Sequence, residues 1–292
     1  MTGLKSMALW VLCSMAVGTG TFADDRSAAL LETLTQVESR IGGRIGVAVS
    51  DSASDWGWRY RADERFPMNS TFKSLLCATV LGRVDRQTLA LDETVRIDAE
   101  ALLSHAPVTR EKAGQDMTMA ELCYATLDKS DNTAANLLID RLGGTAAVTG
   151  YLRGIGDTVS RLDRLEPDMN NFTPGDPRDT TTPAAMITTW EVLFRGEVLS
   201  PASRHMLASW MADGWATSGM IRPSLPDGWE ISDKSGAARH GSRSIVAMIT
   251  PPEDDPYFVA IYIAESPTNW VGRLDAIAEI GAAVTAAIQT HQ

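Results

Sequence analysis

Apolar positions along this chain follow a helical period first, a two-residue period next, and then the helical one again. In residues 24–43, DDRSAALLETLTQVESRIGG, the positions Ala29, Leu30, Leu34 and Val37 recur at helical spacing, and Gly42-Gly43 closes the segment. RIGVAVSD (44–51) is short and rich in β-branched residues and predicts a strand; WGWRY (56–60) predicts a second one after a turn. From Thr71 to about Trp210 the strand signal fades. Helical segments dominate there, among them TMAELCYATLDKS (118–130), NTAANLLIDRLGG (132–144) and TPAAMITTWEVLF (182–194). Strand character returns in SRSIVAMIT (242–250) and YFVAIYIAE (257–265), which flank the turn PPEDDP and predict a hairpin. VGRLDAIAEIGAAVTAAIQ (271–289) predicts a closing amphipathic helix.

A sheet whose strands come from both ends of the chain implies an α/β (α+β) domain interrupted by an all-helical insertion. The predicted boundaries are 24–68 with 213–292 for the first unit and 69–212 for the second. A cleft between two such units is a natural place for a site. Inside the helical block, RLDRLEPDMNNFTPGDPRD (161–179) carries three prolines and no helical period. A structureless loop of that length is usually functional.

The N-terminal stretch MTGLKSMALWVLCSMAVGTGTFADD has Lys5, an apolar run from Met7 to Val17, and residues ending in Thr21-Phe22-Ala23. It reads as a secretory leader cut after Ala23, with too short an apolar run to span a bilayer, and predicts a periplasmic protein. Trp10-Val11-Leu12 lacks the small residues expected before a lipidated Cys13. The 292-residue chain carries a net charge of −11, which argues against nucleic acid or an anionic membrane as partner. Without the leader two cysteines remain, Cys77 and Cys123. In an exported protein that even count predicts one disulfide, with two buried free thiols as the alternative. The histidines at 105, 205, 240 and 291 fall in no Cys/His ligand spacing, so neither a metal nor another cofactor is expected.

Candidate chemistry begins in MNSTFKSLLCATV (68–80), where Lys73 stands one helical turn after Ser70 on an otherwise apolar segment. A lysine there either reaches water or does chemistry. With 22 serines and 5 lysines, about 0.4 Ser-x-x-Lys matches arise by chance. Two rarer motifs follow in order, Ser130-Asp131-Asn132 and Lys234-Ser235-Gly236. The joint chance of all three is on the order of one in a thousand. Residues three apart share a helix face, so Ser70 and Lys73 can meet. A serine hydroxyl needs a neighbouring base to become a nucleophile, and a partly desolvated lysine beside other cations has a lowered pKa suited to that role.

This set of motifs characterises class A serine β-lactamases and penicillin-binding proteins. The chain resembles a class A serine β-lactamase over essentially its whole mature length. It is similar to the carbenicillin-hydrolysing branch through RFPMNSTFK, KSDNTAANLL, RLDRLEPDMN, RDTTTPAAM and PDGWEISDKSGA. The resemblance implies an antiparallel five-stranded sheet flanked by helices, joined to an all-helical domain, in a monomer that acts on a small-molecule β-lactam. It implies that Ser70 attacks the lactam carbonyl while the N–H groups of Ser70 and Ala237 form the oxyanion hole. Ser130 would pass a proton to the leaving nitrogen, and Asn132 would bind the substrate's side-chain amide. Lys234, Ser235 and Arg243, with Gly236 in the same motif, would grip the substrate carboxylate, and His105 matches the ring at the cleft mouth, a plain exposed histidine being the alternative.

Glu166-Pro167-Asp168-Met169-Asn170 matches the family pattern Glu-Pro-x-x-Asn. The resemblance implies that Glu166 and Asn170 hold the hydrolytic water, that a cis bond precedes Pro167, and that Arg164 and Asp179 clamp the loop ends. A penicillin-binding peptidase shares the first three motifs, and Glu166 with Asn170 argues against it. Some positions depart from relatives. Ser235 stands where threonine is commoner, Lys234 where the carbenicillin-hydrolysing branch often has arginine, and Asn69 and Ala238 where some carbapenem-hydrolysing relatives have a cysteine pair. The expected spectrum is penicillins first and early cephalosporins second.

Overall fold

The structure, a computed structural model, describes residues 22–291. The leader expected over 1–23 lies almost wholly outside the described residues. The chain opens with helix α1 (Phe22–Ile41) and strands β1 (Arg44–Asp51), β2 (Gly57–Tyr60) and β3 (Phe66–Pro67). The helical block follows as α2 (Phe72–Asp85), the short strands β4 (Thr94–Arg96) and β5 (Asp116–Thr118), α3 (Met119–Asp128), α4 (Asn132–Leu142) and α5 (Thr145–Gly154). After the proline-rich loop come β6 (Thr180–Thr181), α6 (Pro183–Arg195) and α7 (Pro201–Ser209). The chain returns through β7 (Glu230–Ala238), β8 (Ser242–Thr250) and β9 (Tyr257–Ala264) to α8 (Trp270–His291). Among the described residues, β2-β1-β9-β8-β7 form a five-stranded antiparallel sheet, so the two chain ends do share one sheet.

Strand β9 explains how the layers stack. Its side chains alternate, and every residue from Tyr257 to Ala264 is buried. Tyr257, Val259, Ile261 and Ile263 join the core beneath α1 and α8, with Leu34, Val37, Ile277, Ile280 and Val284. Phe258, Ala260, Tyr262 and Ala264 face the other way, into a second core shared with Phe72, Leu76 and Trp190 of α2 and α6. A strand apolar on both faces is a strand covered on both faces. Helix α2 is likewise buried along its length from Phe72 to Gly82, and is surrounded by α3, α4, α5 and α7.

Two features differ from the sequence reading. The pairs β3–β6 and β4–β5 interrupt the region read as helical, because runs of two or three residues are too short to establish a period. Cys77 and Cys123 correct the expectation of a disulfide: both are free and buried. The Cys77 thiol points at the Cys123 carbonyl oxygen, 3.7 Å away. Burial, then the neighbouring Cys123, hold the Cys77 thiol well above its ordinary pKa. The melting temperature is therefore expected to be the same with and without reductant. A bridge would be worth about 2–4 kcal/mol, so a clear fall under dithiothreitol would overturn the free-thiol assignment.

Candidate active site

Ser70 sits in a 3-10 turn, Asn69–Thr71, that runs directly into α2. The turn is braced at both ends. Thr71 Oγ1 donates to the Met68 carbonyl at 2.7 Å and meets the Tyr262 hydroxyl at 3.0 Å. Asn69 holds φ +44°, a left-handed conformation that a non-glycine residue adopts only under constraint. Strand β7 presses on this turn from the side. A Cβ on Gly236 would lie 2.8 Å from the Met68 carbonyl oxygen and 2.6 Å from Ser244 Oγ, so only glycine lets the strand approach so closely. That approach brings Ala237 to the wall of the cleft that Ser70 lines.

The cleft measures about 470 Å³, within the range of small-molecule sites. Ser70, Ser130, Asn132, Glu166 and Asn170 line one side of it, and Ser235, Gly236, Ala237 and Arg243 the other, with His105 also on the lining. Lys73 and Lys234 lie just beneath, 0% and 1% exposed. The structure therefore gathers at one cleft residues that are 200 positions apart in the chain, Ser70 and Trp270 being the extremes.

Lys73 projects from the first turn of α2 into a fully polar cage. Its Nζ donates to Asn132 Oδ1 at 2.6 Å, to the Ser130 carbonyl at 2.8 Å and to Ser130 Oγ at 3.2 Å. Glu166 Oε1 stands 3.3 Å away, in ionic contact but without hydrogen-bond alignment. Burial pulls the Lys73 pKa below that of an ordinary lysine, and the Glu166 charge opposes the shift. Lys234 donates to the same Ser130 Oγ at 3.2 Å. Burial, and then repulsion from Lys73, bring the Lys234 pKa down to about 7. One hydroxyl thus bridges the Nζ atoms of two lysines.

Ser130 and Asn132 are held by Asp131, whose role the sequence did not suggest. Asp131 caps α4 through the Ala134 N–H at 2.9 Å, and its other oxygen accepts the N–H groups of Val108 and Thr109. The signal was available: an aspartate immediately before a helical run is a standard N-cap.

Glu166 belongs to the proline-rich loop, and the peptide bond to Pro167 is cis. The loop ends meet where Arg164 Nε donates to Asp179 Oδ2 at 2.6 Å, and Asp179 Oδ1 accepts the N–H groups of Asp163 and Arg164. Asn136, one turn along α4 from Asn132, grips the Glu166 backbone twice: its amide donates to the carbonyl at 2.8 Å and accepts from the N–H at 3.0 Å. The Glu166 carboxylate itself accepts from Asn170 Nδ2 at 2.6 Å. Asn136 was not among the residues singled out from sequence, and Asn69 was noted there only as a departure from some relatives, because an amide that anchors a distant loop leaves no local pattern.

At the cleft mouth, His105 is exposed and its Nε2 contacts the Lys129 carbonyl at 3.1 Å. Two tryptophans that the sequence reading missed stand there too, Trp215 and Trp270, 59% and 50% exposed. Each faces a cation: Lys129 Nζ lies 4.9 Å from the Trp215 ring centre and the Arg243 guanidinium 4.6 Å from that of Trp270. Burial and nearby Arg273 lower the Arg243 pKa to about 10. Its Nε has no hydrogen-bond partner among the described residues. A buried guanidinium of this kind is suited to an incoming anion. An exposed large aromatic in a polar loop, as in DGWATSG and PTNWVG, is the signal that would have found these rings.

Comparison with known proteins agrees with this geometry. Residues 29–288 match the β-lactamase enzyme family. The chain is 40% identical over 288 residues to a β-lactamase of Rhodobacter capsulatus, covering 99% of this chain and 98% of that one. It is 45% identical over 279 residues to β-lactamase L2 of Stenotrophomonas maltophilia, covering 95% and 92%. The solved class A β-lactamase of the last common ancestor of Gram-negative bacteria is 50% identical, with a TM-score of 0.87 and coverage of 89% of this chain and 99% of that one. The chain belongs to the β-lactamase enzyme family. Within that family it is a class A enzyme, a hydrolase that opens β-lactams through a serine acyl-enzyme and confers resistance to them.

Proposed function

We propose that Ser70 is the nucleophile, that Lys73 and Ser130 carry its proton to the lactam nitrogen, and that Glu166 activates the water that releases the product. The observation that carries this reading is the buried chain of contacts from Lys73 to Ser130 Oγ on one side and to Glu166 on the other, beside cleft-lining Ser70. In acylation, Ser70 Oγ bonds to the carbonyl carbon as its proton passes to the basic group beside it. The developing oxyanion lies between the backbone N–H groups of Ser70 and Ala237. Collapse breaks the C–N bond, and Ser130 protonates the departing nitrogen and is reprotonated by an adjacent ammonium. In deacylation, Glu166 takes a proton from water as the water attacks the ester, the bond from the carbonyl carbon to Ser70 Oγ breaks, and the proton returns from Glu166 through Lys73 to Ser70. Asn132 would hold the acylamino side chain, and Arg243, Ser235 and Lys234 the carboxylate.

The substrates are penicillins first and early cephalosporins second, with the carbenicillin-hydrolysing branch as the nearest reading of the motifs. The enzyme works as a monomer exported to the periplasm, the leader before residue 24 supporting export. Among the described residues, no helix is long and apolar enough to cross a membrane. Mixing purified protein with benzylpenicillin and following loss of the lactam absorbance tests the reading. Turnover no faster than buffer would sink it.

The lowered Lys234 pKa yields a pH prediction. Lys234 is cationic below about 7 in the free enzyme and loses that charge as pH rises. kcat/KM for an anionic penicillin should therefore fall on the alkaline side. A bound carboxylate favours the ammonium, so the corresponding limb in kcat should lie at higher pH. Lys234→Arg, whose guanidinium does not titrate in this range, should shift the alkaline limb of kcat/KM upward by roughly one unit or more. An unchanged limb would assign the titration to another group.

A further inference from the structure

We propose that Asn69 is a positioning residue for deacylation: through Asn170 it fixes which face of an amide is presented to Glu166. The inference rests on the reading of Glu166 as the base that activates water. Asn69 is fully buried and spends both ends of its side chain. Its Nδ2 donates to Asn170 Oδ1 at 3.0 Å, and its Oδ1 accepts from Ser242 Oγ at 2.8 Å. Asn170 in turn donates from Nδ2 to Glu166 Oε2 at 2.6 Å and to the Pro167 carbonyl at 3.3 Å.

The polarity of this relay is forced. A carboxylate and a carbonyl only accept, so Asn170 must turn its NH₂ toward Glu166 and Pro167. Its oxygen then faces Asn69, which must supply a donor. Asn69 thereby ties three separate pieces together: the nucleophile turn, the proline-rich loop and the start of β8 at Ser242. The strained φ of +44° at Asn69 aims the side chain along this path immediately before the nucleophile. The charged groups facing Glu166 are Lys73 from α2 and Lys234 from β7.

Two substitutions separate positioning from simple packing. Asn69→Gly keeps the left-handed backbone accessible and deletes the relay. Asn69→Asp keeps the shape but offers an acceptor where Asn170 needs a donor. Asn170 would then flip to donate to residue 69, placing its oxygen against the Glu166 carboxylate. That arrangement disfavours the ionised base, so the acid limb of kcat moves to higher pH. Both variants should lower kcat about tenfold with kcat/KM little changed, since acylation does not use the relay. Intact-protein mass after a short penicillin pulse should show a larger acylated fraction than the wild type, and Asn69→Asp alone should shift the pH limb.

Glu166→Ala run alongside tells the two levels apart. If Glu166→Ala traps the adduct while both Asn69 variants deacylate as the wild type does, the positioning role is wrong and the reading of Glu166 stands. If Glu166→Ala turns over normally, the underlying reading fails first. Loss of activity with fewer titratable sites per mole, and no change in acylated fraction or pH limb among the remaining sites, would mean a structural role only and would also overturn the proposal.

Discussion

Glu166→Ala should open about one equivalent of penicillin and then stall. Acylation leaves the substrate carbonyl esterified to Ser70, and an ester is hydrolysed slowly without a base to activate water. The expected fall in the deacylation rate is about 10²–10⁴-fold, the usual contribution of a positioned general base. The geometry supports a selective effect. Glu166 is 4% exposed, is held by Asn136 at its backbone and by Asn170 at its carboxylate, and touches Lys73 only through Oε1. Removing the carboxylate leaves the hydrogen bonds of Lys73 to Ser130 and Asn132 in place. Acylation should then continue while release fails, and intact-protein mass should show a persistent adduct equal to enzyme plus penicillin. Steady turnover near the wild-type rate would refute the deacylation role. A long-lived adduct in the wild-type protein would favour a penicillin-binding peptidase instead.

Ser70→Ala should leave no adduct at all. The methyl side chain cannot bond to the lactam carbon, and losing a covalent nucleophile costs on the order of 10⁶-fold in kcat when the other groups act only with it. The fold should survive, because the turn is held by Thr71 and by Asn69 rather than by the Ser70 side chain. The variant should still bind penicillin, since Arg243 and Lys234 are untouched. Equilibrium binding without mass increase is the expected pair of results. A penicillin adduct on the purified Ser70→Ala protein would place the nucleophile elsewhere.

Much of this was legible in the sequence, for identifiable reasons. The hairpin of β8 and β9 announced itself because both faces of β9 are buried, which writes an unbroken apolar run into the chain. The candidate cleft was legible because the residues that meet there fall in motifs that are short and local: Ser70 with Lys73 within one turn, Ser130 with Asn132 at a helix start, and Glu166 with Asn170 across a 3-10 turn. Strand β7 was not legible from periodicity. Its sequence, EISDKSGAA, spends inward positions on Lys234 and Gly236, where the cleft needs a cation and an absent side chain. Only the likeness to a known family supplied the fifth strand. The roles of Asn69, Asn136 and Trp270 were missed for a different reason. Their partners are Asn170 and Ser242, Glu166, and Arg243, between 27 and 173 positions away, and no pattern within a window reports such a pairing. The disulfide inference failed because it reasoned from compartment and parity alone, whereas both thiols are free and the sulfur of Cys77 turns toward the Cys123 carbonyl.

The unmatched guanidinium of Arg243 has a meaning at the scale of the whole molecule. The chain carries −11 overall, yet the throat of its cleft sets Lys73, Lys234 and Arg243 against the carboxylate of Glu166. An anionic antibiotic therefore meets two fields of opposite sign on its way in. The outer one is repulsive but exposed to electrolyte, and at 0.1 M salt it fades over about 10 Å. The inner one is shielded from electrolyte by burial and keeps its strength. Salt and depth together turn an acidic protein into a receptor for acids, attractive only to a molecule small enough to reach the interior of the cleft.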